Sequence, residues 1–120
     1  MDWIFWLCVV GGVAGVLALK KLGQISPATA REHLRNGAKV IDVRSPGEFA
    51  EEHLPVAVNI PLGSLRDEIA RIAPDKNTVI LLHCLSGGRS ALGRRMLLQL
   101  GYKQVFNLGS LSRAKRIVNA

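Results

Sequence analysis

Apolar residues occur along the chain in short runs of strand length, separated by segments with helix start and stop signals. Four short runs predict β-strands at 39–43, 57–60, 79–82 and 104–107, and the run before Cys84 is rich in β-branched residues. The segments around these runs predict helices at 27–36, after Ser45, from Ser64 to the residue before Pro74, at 90–100 and at the basic C-terminus. Strands that alternate with helices imply the α/β fold class, with a mostly parallel sheet covered by helices on both faces.

A longer apolar run precedes these elements. Residues 3–19 carry no charge and lie between Asp2 and the pair Lys20 and Lys21. At about 1.5 Å per helical residue the run is about 25 Å long, and lysines that reach the lipid headgroups would cover the deficit against a hydrocarbon core of about 30 Å. The run therefore predicts one transmembrane helix. The lysines after it predict a single-pass protein of the inner (cytoplasmic) membrane, with the remaining domain facing the cytoplasm.

Two further features bear on this segment. A cleaved signal peptide is the main alternative, but Asp2 stands where a basic start is expected and the lysines follow the run. Gly11 and Gly15 form a Gly-x-x-x-Gly pair, which predicts a weak homodimer at most. The chain accordingly divides into an anchor at 1–21, a short linker at 22–25 and one α/β domain at 26–120.

A single cysteine follows the third predicted strand. Cys84 lies in a strand-to-helix turn, and Gly87, Gly88 and Arg89 come within the next residues. Ligands of open α/β sheets bind at the carboxyl ends of strands, and backbone N–H groups at a helix N-terminus favour negative charge. Both a helix N-terminus and a nearby arginine lower the pKa of a thiol, so we expect a reactive thiolate in an exposed loop. A buried structural cysteine beside a glycine turn is the alternative.

Three motifs resemble those of a known family. Residues 84–90, Cys-Leu-Ser-Gly-Gly-Arg-Ser, resemble the active loop Cys-x-x-Gly-x-Arg of the rhodanese (sulfurtransferase) homology domain. Residues 41–49 and 53–61 resemble its two other signatures, and the likeness extends over residues 24–112. Asp42, Arg44 and His53 belong to those two signatures and are interpreted as scaffold.

The resemblance implies an enzyme that moves sulfane sulfur from an anionic donor such as thiosulfate to a thiol or cyanide through a persulfide. Cys84 would be the catalytic sulfur carrier. The predicted substrate-binding residues are the remainder of the loop, whose N–H groups would cradle the persulfide: Leu85, Ser86, Gly87, Gly88 and Arg89. The planar fork of Arg89 would hold the donor. His83 receives no role, because an ionised thiolate needs no base, and Glu48 is interpreted as a helix cap.

Two alternatives remain open at this point. A cysteine-dependent phosphatase or arsenate reductase resembles His-Cys-x5-Arg, whereas His83 and Cys84 are followed by four residues and then Arg89, so the cradle is one residue short. A non-catalytic rhodanese-like module that binds a partner or delivers sulfur within a complex is the other. Retention of the cysteine, the glycines and the arginine argues against an inactive module.

Charge is distributed unevenly along the chain, which has a formal net charge of +7. Residues 76–120 contain eight basic and no acidic residues, whereas residues 22–75 contain six basic and eight acidic ones. The half with the active loop should therefore attract small anions. The basic residues are not interleaved with aromatic ones, so no nucleic acid is expected as a partner. One cysteine in the domain suits a reducing cytoplasm, and without a His/Cys cluster no metal or other cofactor is expected.

Overall fold

The structure is a computed structural model that describes residues 2–21 and 23–119, with side chains for 2–13 and 23–119. In chain order the elements are α1 (Asp2–Lys21), α2 (Pro27–Arg35), β1 (Lys39–Asp42), α3 (Pro46–Glu51), β2 (Ala57–Asn59), a 3₁₀ turn (Leu62–Ser64), α4 (Leu65–Ile72), β3 (Val79–His83), α5 (Gly88–Gln99), β4 (Gln104–Gly109) and α6 (Leu111–Val118). The predicted alternation of strands and helices is confirmed.

The four strands form one parallel sheet in the order β2-β1-β3-β4. In the register of β3, His83 lies beside Asp42 of β1 and Gly109 of β4, and an irregularity between Leu82 and His83 shifts the pairing with β4 by one residue. The carboxyl ends of parallel strands meet at one edge of a sheet. The turn that contains Cys84 begins at this edge, between the two neighbouring strands.

Alternate residues of the central strands pack on opposite faces of the sheet, as a period of two requires. Ile80 and Leu82 lie in a core that α4 and α5 complete, whereas Leu81 lies in a second core with α2 and α6. Both faces are therefore covered. On the first face the buried Tyr102 hydroxyl also donates to the carbonyl of Ala73 (2.6 Å).

The predicted linker lies against the sheet. Gln24 forms an isolated parallel bridge with Asn107 of β4, Ile25 N–H donates to the Asn107 carbonyl (3.0 Å) and Asn107 N–H donates to the Gly23 carbonyl (2.9 Å). Leu22, also part of that prediction, lies outside the described residues. This contact fixes the backbone of β4 at Asn107 on the side away from β3.

The prediction of a transmembrane anchor is wrong. Residues 2–21 form a helix, but within the described part of the chain no helix is long and apolar enough to cross a membrane. Asp2 and the two lysines limit the uncharged run to 3–19, about 25 Å of helix against a core of about 30 Å. The predicted inner-membrane, cytoplasm-facing location, and the membrane as a partner, are withdrawn with it. The side chains of 14–21, and with them part of the Gly11 and Gly15 pair, lie outside the described residues, so the homodimer stays a prediction.

Candidate active site

The turn after β3 is attached to both neighbouring strands. Cys84 N–H donates to the Gly109 carbonyl of β4 (3.2 Å), and the His83 carbonyl accepts from Val43 N–H just after β1 (3.0 Å). The next residue, Leu85, accepts from Leu111 N–H at the start of α6 (3.2 Å). The loop that follows Cys84 is therefore held at its base by three separate elements.

The Cys84 sulfur is enclosed rather than exposed. The residue has no exposed surface, which differs from the predicted exposed thiol. Gly87 N–H donates to Sγ at 3.0 Å, and the Ser90 hydroxyl lies 3.5 Å from Sγ. Burial would raise the pKa of the Cys84 thiol, but hydrogen bonds from the Ser90 hydroxyl and from backbone N–H groups of the loop lower it below its ordinary value. The lowered pKa has the direction that the position at a helix N-terminus predicts.

Gly87 makes the sharp change of direction from loop to helix. Its φ of 100° lies in the left-handed region, which glycine adopts without the strain that a Cβ would bring. This conformation turns Gly87 N–H toward Sγ and lets α5 begin at Gly88, two residues earlier than the predicted start at Ser90.

Arg89 is held by a residue from a different motif. Its Nη1 and Nη2 donate to Oε1 (2.6 Å) and Oε2 (2.9 Å) of Glu48 in α3. Hydrogen bonds from Arg89, and then from Ser45 N–H, lower the pKa of Glu48 to about 2. Glu48 in turn raises the pKa of the Arg89 guanidinium, and the Cys84 sulfur adds to this effect against the opposing effect of burial. The predicted capping box of Ser45 and Glu48 is present, but the ion pair was not foreseen.

Asp42 and Arg44, two of the three residues interpreted as scaffold, form a buried ion pair. Arg44 Nη2 donates to Asp42 Oδ2 (2.8 Å), and Arg44 Nε lies 3.0 Å from both carboxylate oxygens. Arg44 Nη2 also donates to the Glu52 carbonyl (2.6 Å), while Asn59 Nδ2 donates to the carbonyls of Asp42 and Arg44 (3.0 Å each). These contacts join the ends of β1 and β2 beneath the active loop.

Within the described part of the chain, no hydrogen bond joins His83 or His53 to the Cys84 sulfur. His83 is fully buried, its Nδ1 lies 3.3 Å from the Cys84 carbonyl, and its Nε2 lies 3.7 Å from Asp42 without a hydrogen-bond partner among the described residues. Burial lowers the pKa of His83, against the opposing effect of Asp42. His53 is exposed and stacks on Phe49 at 3.8 Å between ring centroids.

Two further residues, Ser90 and Asn107, belong to the hydrogen-bond network around the Cys84 sulfur. The sequence interpretation assigned no role to either of them. The Ser90 hydroxyl donates to Asn107 Oδ1 at 2.7 Å, and both residues are fully buried. A polar side chain in the buried part of β4 was the available signal, because such groups need buried partners. Within the described residues no group of three or more His, Cys, Asp or Glu side chains is placed to hold a metal ion.

Comparison with known proteins agrees with this geometry. The model of the rhodanese-like domain family matches residues 26–113. The chain is 37% identical over 97 residues to the thiosulfate sulfurtransferase PspE of Escherichia coli (strain K12), covering 81% of this chain and 86% of that protein. It is 33% identical over 85 residues to the thiosulfate sulfurtransferase GlpE of Pseudomonas aeruginosa (strain LESB58), covering 71% of this chain and 76% of that one.

Solved structures show the same relationship. A structure described as rhodanese with anions from E. coli superposes with a TM-score of 0.62 at 36% identity, covering 64% of this chain and 91% of that one. The human single-domain sulfurtransferase TSTD1 superposes with a TM-score of 0.67 at 25% identity, covering 78% of this chain and 96% of that one. The prediction of an enzyme of this type is confirmed, and the chain belongs to the rhodanese-like domain family of sulfurtransferases.

Proposed function

We propose that this sulfurtransferase takes sulfane sulfur from thiosulfate, or a similar small anionic donor, and passes it to a thiol or to cyanide through a persulfide on Cys84. The observation that carries the proposal is the environment of Sγ, where a glycine N–H at 3.0 Å and a serine hydroxyl at 3.5 Å lower the pKa of the Cys84 thiol. Two relatives named as thiosulfate sulfurtransferases support the choice of donor.

The proposed reaction has two displacements at sulfur. The Cys84 thiolate attacks the outer sulfur of thiosulfate, an S–S bond forms to Cys84, and the S–S bond of the donor breaks so that sulfite leaves with the bonding pair. Cyanide or a thiolate then attacks the outer sulfur of the persulfide, and thiocyanate or a new persulfide leaves while Cys84 regains its thiolate. Both steps use sulfur as nucleophile and leaving group, so neither needs a general base.

The loop residues have distinct parts in this proposal. The N–H groups from Leu85 to Arg89 stabilise negative charge on the sulfur carried by Cys84, and the left-handed turn at Gly87 directs one of them at Sγ. The guanidinium of Arg89 is paired with Glu48, and both Glu48 and the Cys84 sulfur raise its pKa, so it attracts the anionic donor with a charge that Glu48 partly balances. Ser86 and Gly88 contribute backbone only.

The test is the intact mass of the full chain after incubation with thiosulfate. Addition of one sulfur, about 32 Da, is expected, and cyanide should remove it with release of thiocyanate. Cys84→Ser should abolish the adduct. Cys8→Ser is the matched control, because Cys8 is the other cysteine of the chain and lies exposed on α1, so this variant should still gain the sulfur. An unmodified wild-type chain whose thiols are shown to be reduced would refute the proposal and favour a non-catalytic module.

A further inference from the structure

Asn107 is a fully buried polar side chain on β4, the strand next to the one that leads to Cys84. Its Oδ1 accepts from Gly109 N–H (2.8 Å) and from the Ser90 hydroxyl (2.7 Å), and its Nδ2 donates to the Gly87 carbonyl (3.2 Å). The backbone N–H can only donate and the carbonyl can only accept, so these two partners settle which end of the amide is oxygen. The side chain therefore has one defined orientation.

The backbone of Asn107 is equally well fixed. On one side it pairs with β3, and on the other its N–H and carbonyl bond to Gly23 and Ile25. The shift of register next to Asn107 is an irregularity of the type that redirects side chains near functional sites. These backbone contacts therefore hold the side-chain amide of Asn107 in a fixed position beside the active loop.

The first contact of Asn107 with the site runs through Ser90. A hydroxyl has one proton, and three acceptors lie near Ser90 Oγ: Asn107 Oδ1 at 2.7 Å, the Gly87 carbonyl at 3.1 Å and Cys84 Sγ at 3.5 Å. While Cys84 is a thiol, the proton goes to Asn107. When Cys84 is ionised the sulfur is the stronger acceptor, and Asn107 Oδ1 keeps its bond from Gly109 N–H, so the exchange leaves no buried acceptor unpaired.

The second contact runs through Gly87. Asn107 Nδ2 holds the Gly87 carbonyl, and the N–H of that same residue donates to Sγ. Gly87 is free to adopt many backbone conformations, so its left-handed turn needs an external contact to hold a single one. Without Asn107, the Ser90 hydroxyl would turn to the Gly87 carbonyl while Cys84 is a thiol, a common local bond for serine, and would still donate to Sγ once Cys84 is ionised. The effect of Asn107 on the ionisation of Cys84 therefore runs through Gly87.

We propose that Asn107 is a positioning residue of the sulfur-transfer site, which holds Gly87 so that its N–H donates to the Cys84 sulfur and which accepts from Ser90 while Cys84 is a thiol. The inference rests on the proposed function for its purpose. Asn107 acts through Ser90 and Gly87, and no direct contact with substrate is assigned to it. Its loss should therefore weaken stabilisation of the thiolate and move the ionisation of Cys84 to higher pH.

The test is the pH dependence of alkylation of Cys84 by iodoacetamide in the Cys8→Ser background, where Cys84 is the one thiol. Asn107→Leu removes the hydrogen bonds at similar volume, and its alkylation midpoint should rise, with about tenfold less thiolate below the midpoint for each unit of the rise. Tyr102→Phe is the matched control, because it removes one buried hydrogen bond on the same segment, to Ala73, away from the loop. Its midpoint should equal that of wild type, since a loss of stability alone does not change it.

A folded Asn107→Leu chain with the wild-type midpoint would overturn the inference. If that variant does not fold, the Cys8→Ser chain itself decides: the side-chain amide resonances of Asn107 should titrate with the alkylation midpoint of Cys84, and resonances unchanged through the titration would also overturn it. Alkylation needs no sulfur donor, which keeps the two proposals separable. A shifted midpoint without any thiosulfate adduct would refute only the proposed function, and an adduct with an unshifted midpoint would refute only the role of Asn107.

Discussion

Glu48 connects two parts of the site through a single carboxylate. Its Oε1 accepts from Ser45 N–H (3.2 Å) and closes the capping box of α3, while both oxygens accept from Arg89 at the start of α5. The first contact spans three residues, and the spacing in the sequence predicts it. The second joins residues 41 positions apart, and only the parallel sheet that brings the two helix N-termini together creates it.

The ion pair predicts how stability changes in acid. The pKa of Glu48 is lowered from 4.5 to about 2, so its contribution to folding is complete above about pH 4.5 and is lost as the pH falls toward 2. Chemical denaturation should therefore show wild type more stable than Glu48→Gln at neutral pH, with the difference closing over that interval. Glu51→Gln, on the same helix and exposed, is the reference for loss of one carboxylate. A difference between wild type and Glu48→Gln that persists near pH 2 would show that charge on Glu48 is not its cause.

At the scale of elements, the site depends on the junction of β3 and α5. Gly87 supplies a left-handed backbone there, and Gly37 supplies one with a φ of 89° after α2, next to the amino end of β1 and therefore at the opposite edge of the sheet. The two glycines share a backbone conformation but differ in their distance from the sulfur. Substitution of each glycine in turn therefore distinguishes the effect of backbone strain on stability from the effect of the Gly87 N–H on the Cys84 thiol.

Alanine at either glycine should cost about 1 kcal/mol of folding free energy, because a Cβ is strained at positive φ. Only Gly87→Ala should also raise the alkylation midpoint of Cys84, since it moves the N–H that donates to Sγ. Denaturation curves and alkylation profiles of both variants provide the measurement. Equal midpoints in the two variants would mean that the Gly87 N–H does not stabilise the thiolate.

The elements differ in how far the sequence predicts them. The strands around Val40 and Leu81 are evident from apolar runs, because a doubly covered parallel strand is buried on both faces. The start of α5 and the irregularity before Gly109 are not, because both depend on hydrogen bonds between β4 and the loop, which local spacing does not contain. The motif around Cys84 likewise indicates the loop but neither the burial of the sulfur nor its dependence on Asn107.

At the scale of the whole molecule, some basic residues of the segment 76–120 form hydrogen bonds that hold the fold together. Arg94 Nε donates to the Val105 carbonyl (2.8 Å), and Arg113 donates to the carbonyls of Leu108 (2.8 Å) and Ile25. These arginines support β4 as well as contributing charge. Exposed basic residues such as Arg95 and Lys103 contribute the positive electrostatic potential that the sequence predicts to attract small anions. They lie at different distances from the site.

The rate of reaction with thiosulfate at different salt concentrations should show how the effect of a basic residue depends on its distance from the site. Arg95 lies on α5 roughly 10 Å along the helix from Gly88, whereas Lys103 precedes β4 at the opposite edge of the sheet. Arg95→Gln should slow reaction with thiosulfate at low ionic strength, and Lys103→Gln should slow it less. Both differences from wild type should shrink as the Debye length falls to about 8 Å at physiological salt. Rates measured across a salt series provide the comparison, and equal, salt-independent losses would contradict a role for the field.

The complete burial of Cys84 limits which reagents can reach its sulfur. A covered sulfur reacts only when neighbouring groups move aside, and the free energy of that movement grows with the size of the incoming molecule. Slender ions such as cyanide need little displacement, whereas bulky disulfides need much more. Under the proposed function, we expect this enclosure to act as a size filter that keeps large oxidants from the Cys84 sulfur and admits small sulfur compounds.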